Sequence, residues 1–144
     1  MSRPARLTRA DFRWFCSVPS RWDDNDAYGH VNNVVYLSWI DTGVNRWLLQ
    51  NGLIDIVRSP EIFFVVENGC MFFEGVAYPE NVEIGIAVEK VGGASVTYSV
   101  AVFREGRADA AAQGRYVHVL VDRATERPAQ IPGWMREKFG ALQR

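Results

Sequence analysis

From Asn33 onward the sequence carries a helical pattern whose apolar side chains are too large to be left in water. Tyr36, Ile40, Val44, Trp47 and Leu48 recur at steps of about four. Leu37 and Leu49 widen the stripe, and Asn51-Gly52 supplies a stop signal. The pattern predicts a helix of about 18 residues. A helix with that much bulky apolar surface must be mostly covered, so the rest of the chain has to wrap it.

The remaining segments read as strands. Phe12 to Val18 alternates and ends at Pro19, which predicts an early strand. Residues 1–10 are polar and expected to be loose. After the helix, Leu53 to Phe63 reads as a connector, since Pro60 argues against a long helical turn there. Phe64 to Glu74 reads as a strand, and Gly75 to Asn81 as a link. Val82, Ile84, Ile86 and Val88 alternate with polar or small residues, as a strand with one buried face does. Gly92-Gly93 marks a turn, and Val96, Tyr98, Val100 and Val102 alternate again. Glu105-Gly106 is a tight hairpin signal before a last long strand from Ala108 to Asp122. That strand is apolar on both faces, so it should be central or covered by another subunit. Gly133 to Leu142 suits a short terminal helix. The expectation is one α+β domain spanning 1–144, with a core over about 12–132: an antiparallel five-stranded sheet wrapped around one long helix, joined by meander connections, the first strand pairing away from its sequence neighbour.

Composition narrows the function. The net charge is −1, with no basic excess for nucleic acid and no acidic tail for a basic partner. No stretch approaches the ~20 apolar residues of a membrane span. Arg3, Arg6 and Arg9 lead into no apolar run, so no ordinary signal peptide is expected. Cys16 and Cys70 read as buried free thiols, which suits a reducing cytoplasm. There is no Gly-x-Ser-x-Gly elbow, P-loop or Gly-rich dinucleotide fingerprint. His30 and His118 with the two cysteines form no metal site of standard spacing, so neither metal nor cofactor is expected. A hydrolase here must work with a carboxylate, an imidazole and backbone amides.

The run Arg21 to Tyr36 offers those parts. Asp23, Asp24 and Asp26 precede a helix start near Asn32-Asn33. The first turn of a helix leaves N–H groups unpaired and carries roughly half a positive charge. Such N–H groups can polarise a carbonyl or bind an oxyanion. A carboxylate beside them can act as nucleophile or general base. Gly29 lets the loop turn tightly against a ligand. Together the parts suit attack on an activated carbonyl such as a thioester. The residues alone do not choose among the three aspartates, and Asp and Asn before a helix also serve as simple caps.

Asp24-Asn25-Asp26-Ala27-Tyr28-Gly29-His30-Val31-Asn32-Asn33, followed by Tyr36, resembles the Asp-x-Asp-x-x-Gly-His-Val-Asn-Asn signature of hotdog-fold acyl-CoA thioesterases, in particular the 4-hydroxybenzoyl-CoA thioesterase-like group. Ala77-Tyr78-Pro79-Glu80-Asn81-Val82, the turn Val91-Gly92 to Tyr98, and Val121-Asp122-Arg123-Ala124-Thr125 with Arg127-Pro128 and Ile131-Pro132 are similar to later motifs of that family, in the same order. The resemblance implies a hotdog fold, a homodimer or homotetramer with active sites at the subunit interface, and hydrolysis of an acyl-CoA. It assigns the catalytic carboxylate to Asp26 and the oxyanion donor to the backbone N–H of Asn33. Some relatives carry basic residues at the third-to-fourth strand turn, where they contact the nucleotide of coenzyme A. Here that turn is Gly92-Gly93-Ala94, with only Lys90 before it, and Glu74 stands where relatives often have Arg.

The other candidates follow from position. His30 can orient substrate or donate to the carbonyl. Tyr28, Gly29, Asn32 and Tyr36 are candidate pocket residues, with capping (Asn32) and core packing (Tyr36) as the plainer roles. Glu67 and Asn68 can reach the pocket of a partner subunit, and Lys90 can reach a nucleotide. Asp24 suits a loop-fixing acceptor, His118 a structural histidine, and Trp14, Trp22, Trp39, Trp47 and Trp134 core or interface packing. Two rival functions share the fold: an acyl-CoA-binding or regulatory module without turnover, and a dehydratase using His30.

Overall fold

The computed structural model describes residues 4–144. The elements are β1 (Trp14–Pro19), α1 (Asn33–Gln50), β2 (Glu61–Phe72), β3 (Asn81–Val91), β4 (Ser95–Arg104), β5 (Ala112–Asp122) and α2 (Gly133–Gly140), with 3-10 turns at Arg9–Asp11 and Trp22–Asp24. The strands form one antiparallel sheet in the order β1-β3-β4-β5-β2.

The sheet wraps α1. Tyr36, Trp39, Ile40, Val44, Trp47 and Leu48 are buried in one cluster with Val82, Ile84, Ile86, Val88, Val96, Tyr98, Val100, Tyr116 and Leu120. Fully burying one such side chain contributes about 1.5–3 kcal/mol. Gly43 lets α1 lie close on β3: a Cβ there would meet Ile84 Cγ2 at 2.7 Å. The helix begins at Asn32, whose Oδ1 accepts the Val34 N–H at 3.0 Å. It ends in a Schellman arrangement, with Leu53 N–H to Leu48 O at 3.0 Å, Gly52 N–H to Leu49 O at 3.2 Å and Gly52 at φ 71°.

Four expectations change. Only β3, β4 and β5 form a meander; β2 lies at the far edge beside β5, and the link 73–80 crosses past the start of α1 to reach β3. Secondly, β2 covers Glu61–Phe72 instead of starting at Phe64, because Glu61 already pairs with Asp122. Thirdly, β5 starts at Ala112 instead of Ala108. The Glu105-Gly106 turn forms, but Ala108 and Ala110 bond to Arg9 and Leu7 of the N-terminal segment. Fourthly, that segment, expected to be loose, is pinned from Ala5 onward, while residues 1–3, with Arg3, lie outside the described residues. It covers the sheet face opposite α1, where Phe12, Ala87, Ala101, Phe103 and Ala110 form a second small core against Leu7 and Phe15. Both faces of β3 are therefore buried, because its outward positions include Gly85 and Ala87, small enough for Phe12 to settle on them.

Candidate active site

The signature loop is held by its own acids. Asp24 is buried, and its carboxylate accepts the Arg21 N–H at 2.7 Å and the Arg21 guanidinium at 2.8 and 3.0 Å. Its carbonyl accepts the Asn32 N–H at 2.9 Å, which fixes the N-cap. Asp24 is thus the loop-fixing acceptor its position suggested.

Asp26 is half-buried and starts a tight turn. Its Oδ1 accepts the Tyr28 N–H at 2.8 Å, its N–H donates to His30 O at 2.9 Å, and its carbonyl accepts the Gly29 N–H at 3.1 Å. Gly29 takes φ 86°, a conformation that costs other residues strain. Oδ2 of Asp26 makes no hydrogen bond among the described residues.

Val31 is buried, and its N–H donates to Val76 O at 2.7 Å, which brings the β2–β3 link against the loop. His30, Val31, Asn33 and Tyr36 then face Phe72, Phe73, Glu74 and Gly75 across a cavity of about 330 Å³. The His30 imidazole lies so close to Gly75 that a Cβ there would meet its Cδ2 at 2.7 Å. Tyr36 and Phe72 meet edge to face at 5.0 Å. Glu74 is ion-paired to Arg6 at 3.2 Å, so its charge at the wall is balanced from the N-terminal segment.

The decisive group is a backbone donor. Asn33 is the first residue of α1, so its N–H has no partner within the helix, and it makes no hydrogen bond among the described residues. The neighbouring Val34 N–H is taken by the Asn32 cap. One donor at the positive end of an 18-residue helix therefore borders a cavity, beside a loop that holds a carboxylate.

The other candidates divide. His30, Asn33 and Tyr36 meet in the cavity, with Asp26, Gly29 and Asn32 on the loop that builds it. Tyr28 stands at the loop tip, 89% exposed. Glu67 is exposed on the edge strand and bonded to Arg115 at 3.1 Å. Asn68 donates to Leu37 O at 3.3 Å, beside the middle of the first helical turns. Lys90 lies at the end of β3 remote from the cavity. None of Tyr28, Glu67, Asn68 and Lys90 lines the cavity within one chain. Phe72, Phe73 and Gly75 are walls that the sequence did not suggest as site residues; their approach depends on the Val31–Val76 bond between distant segments, which has no local signal. A larger hollow of about 500 Å³ lies against the other face of the sheet, near Gln113, Arg115 and Arg144, and holds no signature residue.

Burial pushes the Cys70 thiol up to about 11 and raises that of Cys16, so neither is a ready nucleophile. No group of three His, Cys, Asp or Glu that could hold a metal occurs among the described residues. His118 is buried, with Nε2 3.0 Å from the Tyr116 hydroxyl, and burial lowers its pKa to about 3. It is a packed histidine remote from the loop.

Comparison with known proteins bears out the fold. The PA5185 protein from Pseudomonas aeruginosa is 43% identical over 96% of this chain and 97% of its own, with a TM-score of 0.92. A 1,4-dihydroxy-2-naphthoyl-CoA thioesterase from Synechocystis has 14% identity over 89% of this chain and 96% of its own (TM-score 0.79). A DHNA-CoA thioesterase from Staphylococcus aureus has 19% identity over 89% of each (TM-score 0.78). At those identities the last two speak for the fold, which is the hotdog. No curated protein matches the chain. The pattern of the thioesterase-like superfamily matches residues 20–139, from the signature loop through α2. The chain belongs to the thioesterase-like superfamily.

Proposed function

We propose that the protein hydrolyses an acyl-CoA to the free acid and CoA. The observation that carries this reading is the unpaired Asn33 N–H at the start of α1, bordering a cavity of about 330 Å³ beside the Asp26 loop. The thioester carbonyl oxygen accepts from that N–H, which stabilises the oxyanion formed on attack. Asp26 serves as nucleophile or as general base. As base, it takes a proton from water while the water oxygen bonds to the carbonyl carbon; the tetrahedral adduct then collapses with cleavage of the C–S bond, and the departing sulfur takes that proton back from Asp26 to leave as the thiol. His30 stands against the cavity wall, where it can orient the thioester. Tyr36 and the two phenylalanines give the acyl group an apolar seat.

The active unit in this reading is a homodimer or larger homo-oligomer. Support comes from β2, a 12-residue edge strand with Phe64, Val65 and Val66 exposed. Such an edge is normally blunted or paired. A second copy on it would carry Glu67 and Asn68 toward the neighbouring site and offer Lys90 a route to substrate. No helix among the described residues is long and apolar enough to cross a membrane, and the free thiols Cys16 and Cys70 suit a reducing cytoplasm.

The test is turnover of a panel of aryl and aliphatic acyl-CoAs by Asp26→Asn and Asp26→Ala. Loss of kcat by about 10²–10⁴-fold with an intact fold is expected. A folded Asp26→Ala with wild-type turnover removes Asp26 from the mechanism.

A further inference from the structure

A thioester carried on coenzyme A brings a purine nucleotide, and the site as described has no obvious partner for it. The β3–β4 turn is Gly92-Gly93-Ala94, and Lys90 lies at the sheet end remote from the cavity. A nucleotide with no basic cluster beside it can instead be held by its flat base. Stacking on aromatic rings suits that task because every base has a π-face.

Next to the signature loop stand two aromatic side chains outside both hydrophobic cores, packed on each other. Trp22 is 79% exposed and Tyr78 is 38% exposed. Their rings meet at 5.8 Å and 80°, forming a corner open to solvent. Leaving a tryptophan this exposed forfeits most of the burial that usually justifies the residue.

The corner is rigidly mounted. Trp22 lies in the 3-10 turn that Arg21 and Asp24 close, with Asp24 N–H to Arg21 O at 2.9 Å and the Arg21–Asp24 ion pair at 2.8 Å. The Tyr78 N–H donates to Asn25 Oδ1 at 3.0 Å, so the two rings are tied together through the residue preceding Asp26. Along the chain, Tyr78 follows the cavity wall residue Gly75 by three positions. The platform and the cavity therefore share one loop and one link. Arg21, mostly exposed, uses Nε and one Nη on Asp24, and its other Nη makes no hydrogen bond among the described residues. That N–H is a donor for a phosphate oxygen beside the corner. In the chain Trp22 is flanked by Arg21 and Asp23, and Asn25 ties Tyr78 to the loop, so polar groups adjoin the corner as a wet ligand requires.

We infer that Trp22 and Tyr78 form the seat of the purine base of the thioester's nucleotide carrier, with Arg21 beside its phosphates. The inference rests on the acyl-CoA reading above and deepens it: the substrate is a free CoA thioester, and the carrier is recognised by stacking instead of by a basic cluster.

The test compares full-length wild type with Trp22→Ala, Tyr78→Ala and Trp22→Phe. Calorimetric titration with free CoA and with phosphopantetheine reads the 3'-phosphoadenylate without any need for turnover, and the Trp22 variants separate its base from its phosphates. Wild type should bind CoA at least about 10-fold tighter than phosphopantetheine, Trp22→Ala should erase that preference, and Trp22→Phe should restore most of it. In turnover, Trp22→Ala should raise the KM of a CoA thioester about 10-fold relative to that of the matching N-acetylcysteamine thioester. Equal binding of CoA and phosphopantetheine by wild type overturns the inference. So does a Trp22→Ala variant that keeps the preference, or one that changes only the sedimentation of the protein. If no thioester is hydrolysed yet CoA binds through Trp22, the hydrolase reading fails and the base seat stands.

Discussion

The backbone N–H of Val76 donates to the phenolic oxygen of Tyr36 at 3.2 Å, joining the first turn of α1 to the link between β2 and β3. Both residues are buried, and the Val76 carbonyl accepts the Val31 N–H, so one residue braces both the helix and the signature loop. Tyr36→Phe keeps the ring but leaves that N–H unpaired. Urea denaturation should show a loss of about 1–3 kcal/mol. Turnover should fall as well, because the cavity wall loses its tie. An unchanged denaturation midpoint would show that the bond contributes nothing.

The β2–β5 pairing depends on a glycine. A Cβ at Gly114 would lie 1.8 Å from the carbonyl oxygen of Gly69 on the neighbouring strand, a clash with backbone that no rotamer relieves. Gly114→Ala should cost at least the ~1–3 kcal/mol typical of overpacking and lower the melting temperature by several degrees. Gly133→Ala is the control, since a Cβ there meets nothing within 4 Å; its melting temperature should stay close to wild type. Equal melting temperatures for the two variants would contradict the strand register.

Stability should fall in mild acid through His118. Burial lowers its folded pKa to about 3, against about 6.5 when unfolded. Its Nε2 meets the Tyr116 hydroxyl, which itself donates to Asp41 at 2.5 Å, and Nδ1 is buried without a partner. Above about 6.5 neither state binds a proton at this residue, and its contribution is flat. Below that value the unfolded chain takes up a proton that the folded one refuses, so stability drops toward pH 3 at up to about 1.4 kcal/mol per unit. His118→Phe should flatten the profile between pH 7 and 5 relative to wild type, measured by chemical denaturation. Parallel profiles would mean the imidazole is not titrating as its burial implies.

The helix and the alternating strands were readable because their signals are local. The repeat of Tyr36, Ile40, Val44 and Trp47 gave α1 its true limits, Asn33–Gln50. Alternation located β3 and β4 to within three residues. The acids and amides of residues 23–33 marked the helix start at Asn33, and the resemblance to the family signature names Asp26 as the candidate carboxylate among them.

Pairing between distant segments was not readable in that way. That β2 lies beside β5, that the link 73–80 passes the start of α1, and that residues 4–12 cover the back of the sheet all depend on hydrogen bonds spanning tens of residues. A strand's alternation tells which face is apolar, but the free energy that chooses its neighbour is shared among many weak contacts made only once the chain has closed. The same holds for the site. Sequence named the candidates Asn33 and Asp26, whereas the walls Phe72, Phe73 and Gly75, and the exposed corner of Trp22 and Tyr78, exist only because folding brings two loops side by side.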